Sequence, residues 1–480
     1  MTLPAPCRFA PSLLLLALLA GCTVGPDYQR PATAAPVAFK EAAGWTAAAP
    51  KDAQAKGRWW AAYADPHLDT LMDQVALTNQ TVAQYQAQYR QALALARASR
   101  ADLYPTVSAS LESTRSQTAS SSTGSYAGTA VSGQGGASNT HVATLSASWE
   151  LDLWGKLRRT LEENRASAQA SAADLAAATL SAQSELAQDY FKLRLLDQQL
   201  ALYRDTVGAY QRYLTVIENK YAEQVASRAD LAQAQTQLES AKATLLDDQW
   251  QRAQYEHAIA LLIGKAPVDF NLPALPASGP DAWAWKIPAI PVGVPSQLLE
   301  RRPDIAAAER QVAAANAAIG VATAAYYPDI TLSASGGYQA SSLASLLNAP
   351  TRFWSIGPSL SSTLLDFGAT RASVDQASAS YDAQVANYRQ TVLTGIGEVE
   401  DYLVQLRTQA PELTARGNAA AAAAESARVT ADQYEAGKID YLDVATTQAT
   451  LLSEQQSLLS LVSAQLVASV ELMVALGGSW

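Results

Sequence analysis

Few residues in this chain could do chemistry, and their spacing excludes most of it. The three histidines among 480 residues, His67, His141 and His257, lie far apart with no metal-ligand spacing. Gly395-Ile396-Gly397 falls in a helical run rather than after a strand, so it is not a dinucleotide loop. Gly437-Lys438 lacks the earlier glycine of a phosphate loop, and no nucleophile motif occurs. No enzyme, metal site or cofactor is expected. The one position marked for covalent chemistry is Cys22.

Arg8, an apolar run over 13–19 and the small pair Ala20-Gly21 precede that cysteine, which is the pattern of a signal peptide over 1–21. Leu19-Ala20-Gly21-Cys22 resembles the bacterial lipoprotein box, whose cysteine becomes the lipidated first residue of the mature chain. Palmitate would be among the attached acyl chains. Small residues suit a peptidase that grips extended, unhindered backbone. The alternative is ordinary secretion with a free thiol. Thr23, rather than Asp, after the cysteine resembles sorting to the outer membrane. Cys7 leaves with the signal, so no internal disulfide can form. The net charge of −10 argues against a nucleic-acid partner. Beyond the signal no apolar run approaches the roughly 20 residues of a membrane helix, so any crossing is expected through strands.

The elements around these positions are duplicated. Tyr327-Pro328-Asp329 opens an alternating run with Ile330, Leu332 and Ala334 on one side and Thr331, Ser333 and Ser335 on the other, and 354–364 returns as a second strand. An earlier hairpin starts at Tyr104-Pro105 and returns over 142–153, with Leu145, Ala147, Trp149 and Leu151 opposite Ser146, Ser148, Glu150 and Asp152. Gly155 and Gly368, Tyr221 and Tyr434, Asp230 and Asp443, and Gly264 and Gly477 are each 213 residues apart. Tyr104 and Tyr327 are 223 apart, so the first hairpin carries ten extra residues. Four landmarks at one offset identify an internal duplication.

The expected organisation is a signal peptide (1–21), a lipidated extended arm (22–62), a first repeat (63–265), a Pro-rich linker (266–295) and a second repeat (296–480). Residues 66–102 have helical spacing, and 156–223 contain no proline. That run would make a rod of about 100 Å, which must pack beside others like it as in a coiled coil. Eight of 21 prolines fall between Pro267 and Pro303. The second repeat runs helix from 296 to 325, hairpin, long helix from 369, turn at Gly437 and helix to 475. Pro411 predicts a kink or short break in its long helix. The loop over 113–140 is Ser/Thr/Gly-rich and expected in solvent.

The fold class is therefore α+β, a duplicated helix–hairpin–helix–helix unit with four strands per chain. Four strands cannot close a membrane barrel. Two copies give a filled eight-strand barrel, and three give twelve strands with a lumen. Glu150, Asp152 and Asp366 are the candidate lumen-facing charges; for Glu150 and Asp152 the alternative is a solvated strand end. Trp149, Tyr338, Phe353 and Trp354 are candidates for an interfacial aromatic girdle, with packing against a neighbouring copy as the alternative.

Gly25-Pro26-Asp27-Tyr28-Gln29-Arg30-Pro31, Trp149-Glu150-Leu151-Asp152-Leu153-Trp154-Gly155-Lys156, Arg301-Arg302-Pro303-Asp304-Ile305 and Ala325-Tyr326-Tyr327-Pro328 resemble the TolC-type outer-membrane factors, in their NodT-like lipoprotein branch. That resemblance covers essentially the whole mature chain. It implies a homotrimer, a twelve-strand transmembrane barrel joined to a long α-helical barrel. The trimer would be anchored by lipid in the outer membrane and extend into the periplasm. Its implied partners are a periplasmic adaptor and an inner-membrane transporter of the RND type, and its implied activity is passive efflux of drugs or other toxic small molecules. Protein secretion, or a non-conducting scaffold, are the alternatives. The segment Tyr434-Glu435-Ala436-Gly437-Lys438-Ile439-Asp440-Tyr441-Leu442-Asp443 resembles the family's periplasmic gate, with Asp443 as a ring aspartate, Asp230 its repeat counterpart and Tyr434 beside it. Thr446, Ile439 and Gln224 depart from that pattern, which implies a weaker constriction. Ser227/Asp230 and Asp440/Asp443 also have capping-box spacing, so a purely local role is open.

If Cys22 carries the lipid, the acyl chains add to an inserted barrel, because one chain anchors only marginally. Cys22→Ser behind a cleavable signal should still yield assembled protein in outer-membrane fractions, and complete loss there would show that the strands cannot insert unaided.

Overall fold

In the computed structural model, residues 23–33, 36, 38–41, 58–117, 137–276, 286–288, 290 and 301–478 are described. Cys22 and much of the Pro-rich linker lie outside them. The first repeat comprises α1 (Pro66–Thr78), α2 (Gln80–Ala101), β1 (Thr106–Gln117), β2 (Ala137–Glu150), α3 (Lys156–Ala222) and α4 (Arg228–Leu262). The second comprises α5 (Pro303–Ala324), β3 (Asp329–Ala340), β4 (Arg352–Ser361), α6 (Ala369–Glu435) and α7 (Tyr441–Ala475). The duplication holds element by element: α2 and α5 have 22 residues each, α3 and α6 have 67, and α4 and α7 have 35.

The chain divides into two compact units. One contains Arg90–Gln169 and Glu309–Ala386 with the N-terminal arm to Pro31. Its four strands form one antiparallel sheet in the order β1-β2-β3-β4. The arm is held in this unit by a close backbone approach. Gly25 has φ 93°, and a Cβ there would sit 2.5 Å from the Gly320 Cα, so only glycine fits.

The other unit contains Ala32–Tyr89, Ala170–Ala308 and Asn387–Trp480. Leu68, Met72 and Val75 of α1 are fully buried in it, as are Leu186, Leu193, Leu466, Val470 and Leu472. Each such side chain contributes about 1.5–3 kcal/mol by leaving water. Helix α7 is long and apolar enough by composition to cross a membrane, contrary to the expectation that no such run exists. About half of its most apolar stretch, including Val462, Leu466, Val470 and Leu472, is instead buried in this unit's core.

Two further expectations change. The helical run over 66–102 is two helices, because Asn79 is extended (ψ 125°). Its side chain accepts from Val82 N at 3.0 Å and donates to Leu262 O at 2.8 Å, so it ends one helix, caps the next and ties both to α4. Helix α6 runs unbroken through Pro411. Pro411 and Arg407, whose carbonyl loses its partner, both face solvent, so water can satisfy that group.

Four helices end in the same hydrogen-bonded turn. Lys438 N bonds Gln433 O and Gly437 N bonds Tyr434 O, a Schellman motif, and it repeats at Gln224, Gly264 and Gly477. Three of these left-handed positions are glycine, and the fourth is Gln224 at φ 61°. A side chain costs about 1–2 kcal/mol there, partly offset by the greater unfolded-state freedom of glycine. Gln224→Gly should therefore raise the thermal midpoint, by about 0.5–1 kcal/mol of added stability. An unchanged or lower midpoint would refute the strain.

Candidate functional site

Strand register sorts the sheet into two chemically different faces. Leu111 pairs with Ala143 and Ala143 with Tyr338; Val107 pairs with Ala147, Ala147 with Ala334 and Ala334 with Ile356. Leu145, Trp149, Leu332, Trp354 and Leu360 share that side by alternation, making it apolar. The opposite side carries Ser108, Ser110, Thr144, Ser146, Ser148, Thr331, Ser333, Ser335 and Ser355. Its charges are Glu112, Glu150 and Asp329, with no cation among the described strand residues of that face. The apolar side is exposed to an unusual degree for the surface of a chain in water: Val107 66%, Leu111 72%, Trp354 71% and Leu360 68%.

The aromatic candidates separate into two levels. Trp149 pairs with Leu332, whereas Tyr338 pairs with Arg352 six residues farther along β3, about 20 Å along the strand. Trp149 Nε1 donates to Leu103 O at 3.0 Å. Phe353 belongs to the hydroxyl-rich face, opposite Gly337, and so does not join the girdle with Trp354.

Of the candidate lumen charges, only Glu150 lies on a strand. Asp152 is past the end of β2, which the alternation had extended too far. Its carboxylate accepts from Leu157 N (3.1 Å) and from Arg158 N (2.9 Å) and Nε (3.0 Å), capping α3. Asp366 does the same for α6. It accepts from the Thr370 hydroxyl and N, and from Gly368 N, and these bonds hold its carboxyl down at about 2. Both acids are spent on helix starts, where a carboxylate meets unpaired N–H groups and the positive end of the helix. Glu150 faces Lys156 Nζ at 3.2 Å, and Lys156 also reaches Asp329 at 3.3 Å.

The arm makes a clasp that sequence spacing alone did not locate, although its Gly25–Pro31 motif was the available signal. Arg159, nearly buried, bonds Asp27 (2.9 Å), Glu162 (2.8 Å) and the carbonyls of Val24 and Gly25. Tyr28 donates to Glu309 and Asn316 to Pro26 O. Val24 N bonds Trp154 O at 3.0 Å, and Trp154 stacks on Tyr327 at 4.8 Å. The residue after the candidate lipid site's neighbour is thereby fixed at the helix end of the sheet.

The helix-turn candidates lie in the other unit. Tyr434 is buried with Tyr210, Ile217, Leu238, Tyr441 and Val444. Its ring is 6.0 Å from that of Tyr441, and Lys220 Nζ sits 4.1 Å over it. Tyr441 donates to Gln237 Oε1 at 2.9 Å, Gln237 returns a bond to Ala445 O, and burial raises the Tyr441 hydroxyl above its ordinary range. The two aspartates differ. Asp230 closes a reciprocal capping box with Ser227, at 2.9 and 3.1 Å. Asp440 makes no side-chain cap, and the exposed Asp443 carboxylate has no hydrogen-bond partner among the described residues. The described residues contain no cluster of groups able to hold a metal ion.

The family pattern described as "Outer membrane efflux protein" matches residues 71–265 and 294–478. The chain belongs to that family. It is similar to the cation efflux system protein CusC of Escherichia coli K12, with 29% identity over 474 residues, 99% of this chain and 100% of CusC. It is 31% identical to the pyoverdine export outer membrane protein OpmQ of Pseudomonas aeruginosa, over 96% of this chain and 95% of OpmQ. Among solved structures, the outer-membrane channel OprN superimposes with a TM-score of 0.84 at 29% identity, covering 96% of this chain and all of OprN. The open state of the Neisseria gonorrhoeae MtrE channel gives 0.77 at 28% identity, covering 95% and 98%. This outer membrane efflux protein therefore resides in the cell outer membrane, and its sheet faces are those of a membrane-inserted strand system.

The unequal capping leads to a direct test. Asp230→Ala should cost about 0.5–2 kcal/mol of local stability, read as faster amide exchange in the first turn of α4. Asp443→Ala, which loses only an exposed charge–dipole attraction, should affect the first turn of α7 less. Equal effects at both would remove the distinction.

Proposed function

We infer that three copies of this chain form the outer-membrane exit duct of a tripartite efflux pump. The observation that carries this reading is the four-stranded sheet with one apolar face, one hydroxyl-rich face and two unpaired edges, β1 and β4. Edges cannot stay open in hydrocarbon, and joining β4 of one copy to β1 of the next closes a twelve-strand barrel with the hydroxyl face inside. Glu112, Glu150 and Asp329 then face a water-filled path, the last two paired with Lys156 at the helix end and Glu112 left as the strand charge without a cation on its face among the described strand residues. A passive path needs an energised transporter behind it, so the partners are an inner-membrane transporter of the RND type and a periplasmic adaptor. The cargo class is small molecules; CusC and OpmQ are named for cation efflux and pyoverdine export. Cys22, one residue before the arm packs against Gly155, carries the lipid anchor in this reading.

The periplasmic gate is assigned to Asp443, supported by its exposed, unengaged carboxylate at the start of α7. Tyr434 packs beneath the turn, and Asp230, committed to its cap, contributes less. Three Asp443 carboxylates about one axis would attract cations and repel each other.

Purified protein in detergent should have the mass of a trimer and should conduct in planar bilayers. A monodisperse monomer or dimer would sink the twelve-strand reading, and absence of conductance would favour a scaffold. Asp443→Ala should raise conductance and weaken cation selectivity, and Asp443→Asn should lose most selectivity at unchanged size. Parent-like behaviour of both variants would place the constriction elsewhere.

A further inference from the structure

The apolar face of the sheet is interrupted at one place. Gly336 has no side chain between Leu145 and Trp354, its neighbours in register, and a cleft of about 580 Å³ opens there. Val107, Leu145, Ala147, Tyr338 and Trp354 supply apolar wall, and Arg352 stands at one end. The Arg352 side chain is exposed and has no hydrogen bond or ion pair among the described residues. No acid shares its face in the described strands; Glu112, Glu150 and Asp329 all lie on the other side.

The position of Arg352 along the strands is informative. Eight residues of β3 separate Ile330, at the helix end of the apolar face, from Tyr338, the partner of Arg352. That is about 26 Å along the strand and, at the roughly 40° tilt of barrel strands, about 20 Å along the membrane normal, toward the far edge of the roughly 25 Å apolar band. Beyond this level the same face turns polar, with Ser113, His141 and Arg115. The arm marks the opposite boundary, since Val24 is bonded to Trp154 at the helix end. Arg352 therefore sits where hydrocarbon gives way to headgroups in the leaflet away from the lipid anchor. An unpaired guanidinium at that depth is costly, and a phosphate is its best-matched partner.

We propose that this cleft and Arg352 form a binding site for a phosphate-bearing lipid of the outer leaflet. One acyl chain lies over Gly336 between Leu145 and Trp354, and the guanidinium pairs with the headgroup phosphate. The site rests on the barrel reading above. Closure of the barrel joins strand edges in the plane of the sheet and leaves this face uncovered.

Two substitutions separate its halves. Arg352→Gln removes the charge. Gly336→Val fills the cleft from a position whose Cβ meets nothing nearer than 3.6 Å. Gly357→Val, with open space around its Cβ on the hydroxyl face, is the control. Native mass spectrometry of the full protein, in detergent with bisphosphorylated diglucosamine lipid or its dephosphorylated form, reads retention. The parent and Gly357→Val should retain the phosphorylated lipid on the order of tenfold over the other form. Arg352→Gln should abolish that preference, and Gly336→Val should lower retention of both. Equal retention of the two forms by the parent, or a parent-like preference in Arg352→Gln, overturns the site. Conductance of the same preparations keeps the two readings apart. Conducting protein that shows no lipid preference refutes the site alone, whereas non-conducting protein refutes the barrel.

Discussion

Backbone groups that cannot remain unpaired in hydrocarbon govern this molecule. Among the described residues β1 and β4 each have one strand neighbour, and all twelve residues of β1 are exposed. A protein in water could leave such an edge to solvent, but an outer-membrane protein cannot. The alternation of Leu145, Ala147 and Trp149 with Ser146, Ser148 and Glu150 answers the second requirement, lipid on one side and water on the other. Both demands fall on four strands, and most of the other described residues are helical.

The helices solve the same backbone problem at their ends, and the repeats reach one solution with different residues. Asn79 and Arg302, 223 apart, occupy matching positions. Asn79 donates to Leu262 O at 2.8 Å and Arg302 to Ala475 O at 3.2 Å, in each case the last carbonyl of the shorter helix. Arg302 needs Glu398 at 2.6 Å and Asp304 at 2.7 Å to balance its charge, which the neutral Asn79 does not. The geometry was duplicated and the chemistry then diverged.

What the sequence disclosed follows from the range of each signal. Period-two alternation and a fixed offset are carried by many residues at once, so most strand faces and the repeated order of elements were legible. The ends of elements depend on single side chains and were not. Asp152 continued the alternation on paper, yet Leu157 N and Arg158 N claim its carboxylate. Asn79 interrupts a helical pattern without disturbing its spacing. Ser227/Asp230 and Asp440/Asp443 looked alike as capping boxes, but a serine hydroxyl can cap compactly and donate elsewhere, whereas paired carboxylates repel. Only the first box forms.

That last difference has a mechanical consequence. The first turn is locked by a reciprocal pair of hydrogen bonds and a residue held in a left-handed conformation; the second has a glycine and no side-chain cap. In a threefold ring the two turns alternate around the circumference, so stiff staves stand between compliant ones. Opening such a ring requires displacement of only every other stave. In the proposed trimer the fixed set would keep the circumference registered while the other set swings, and the aperture would be an iris with three moving blades rather than six.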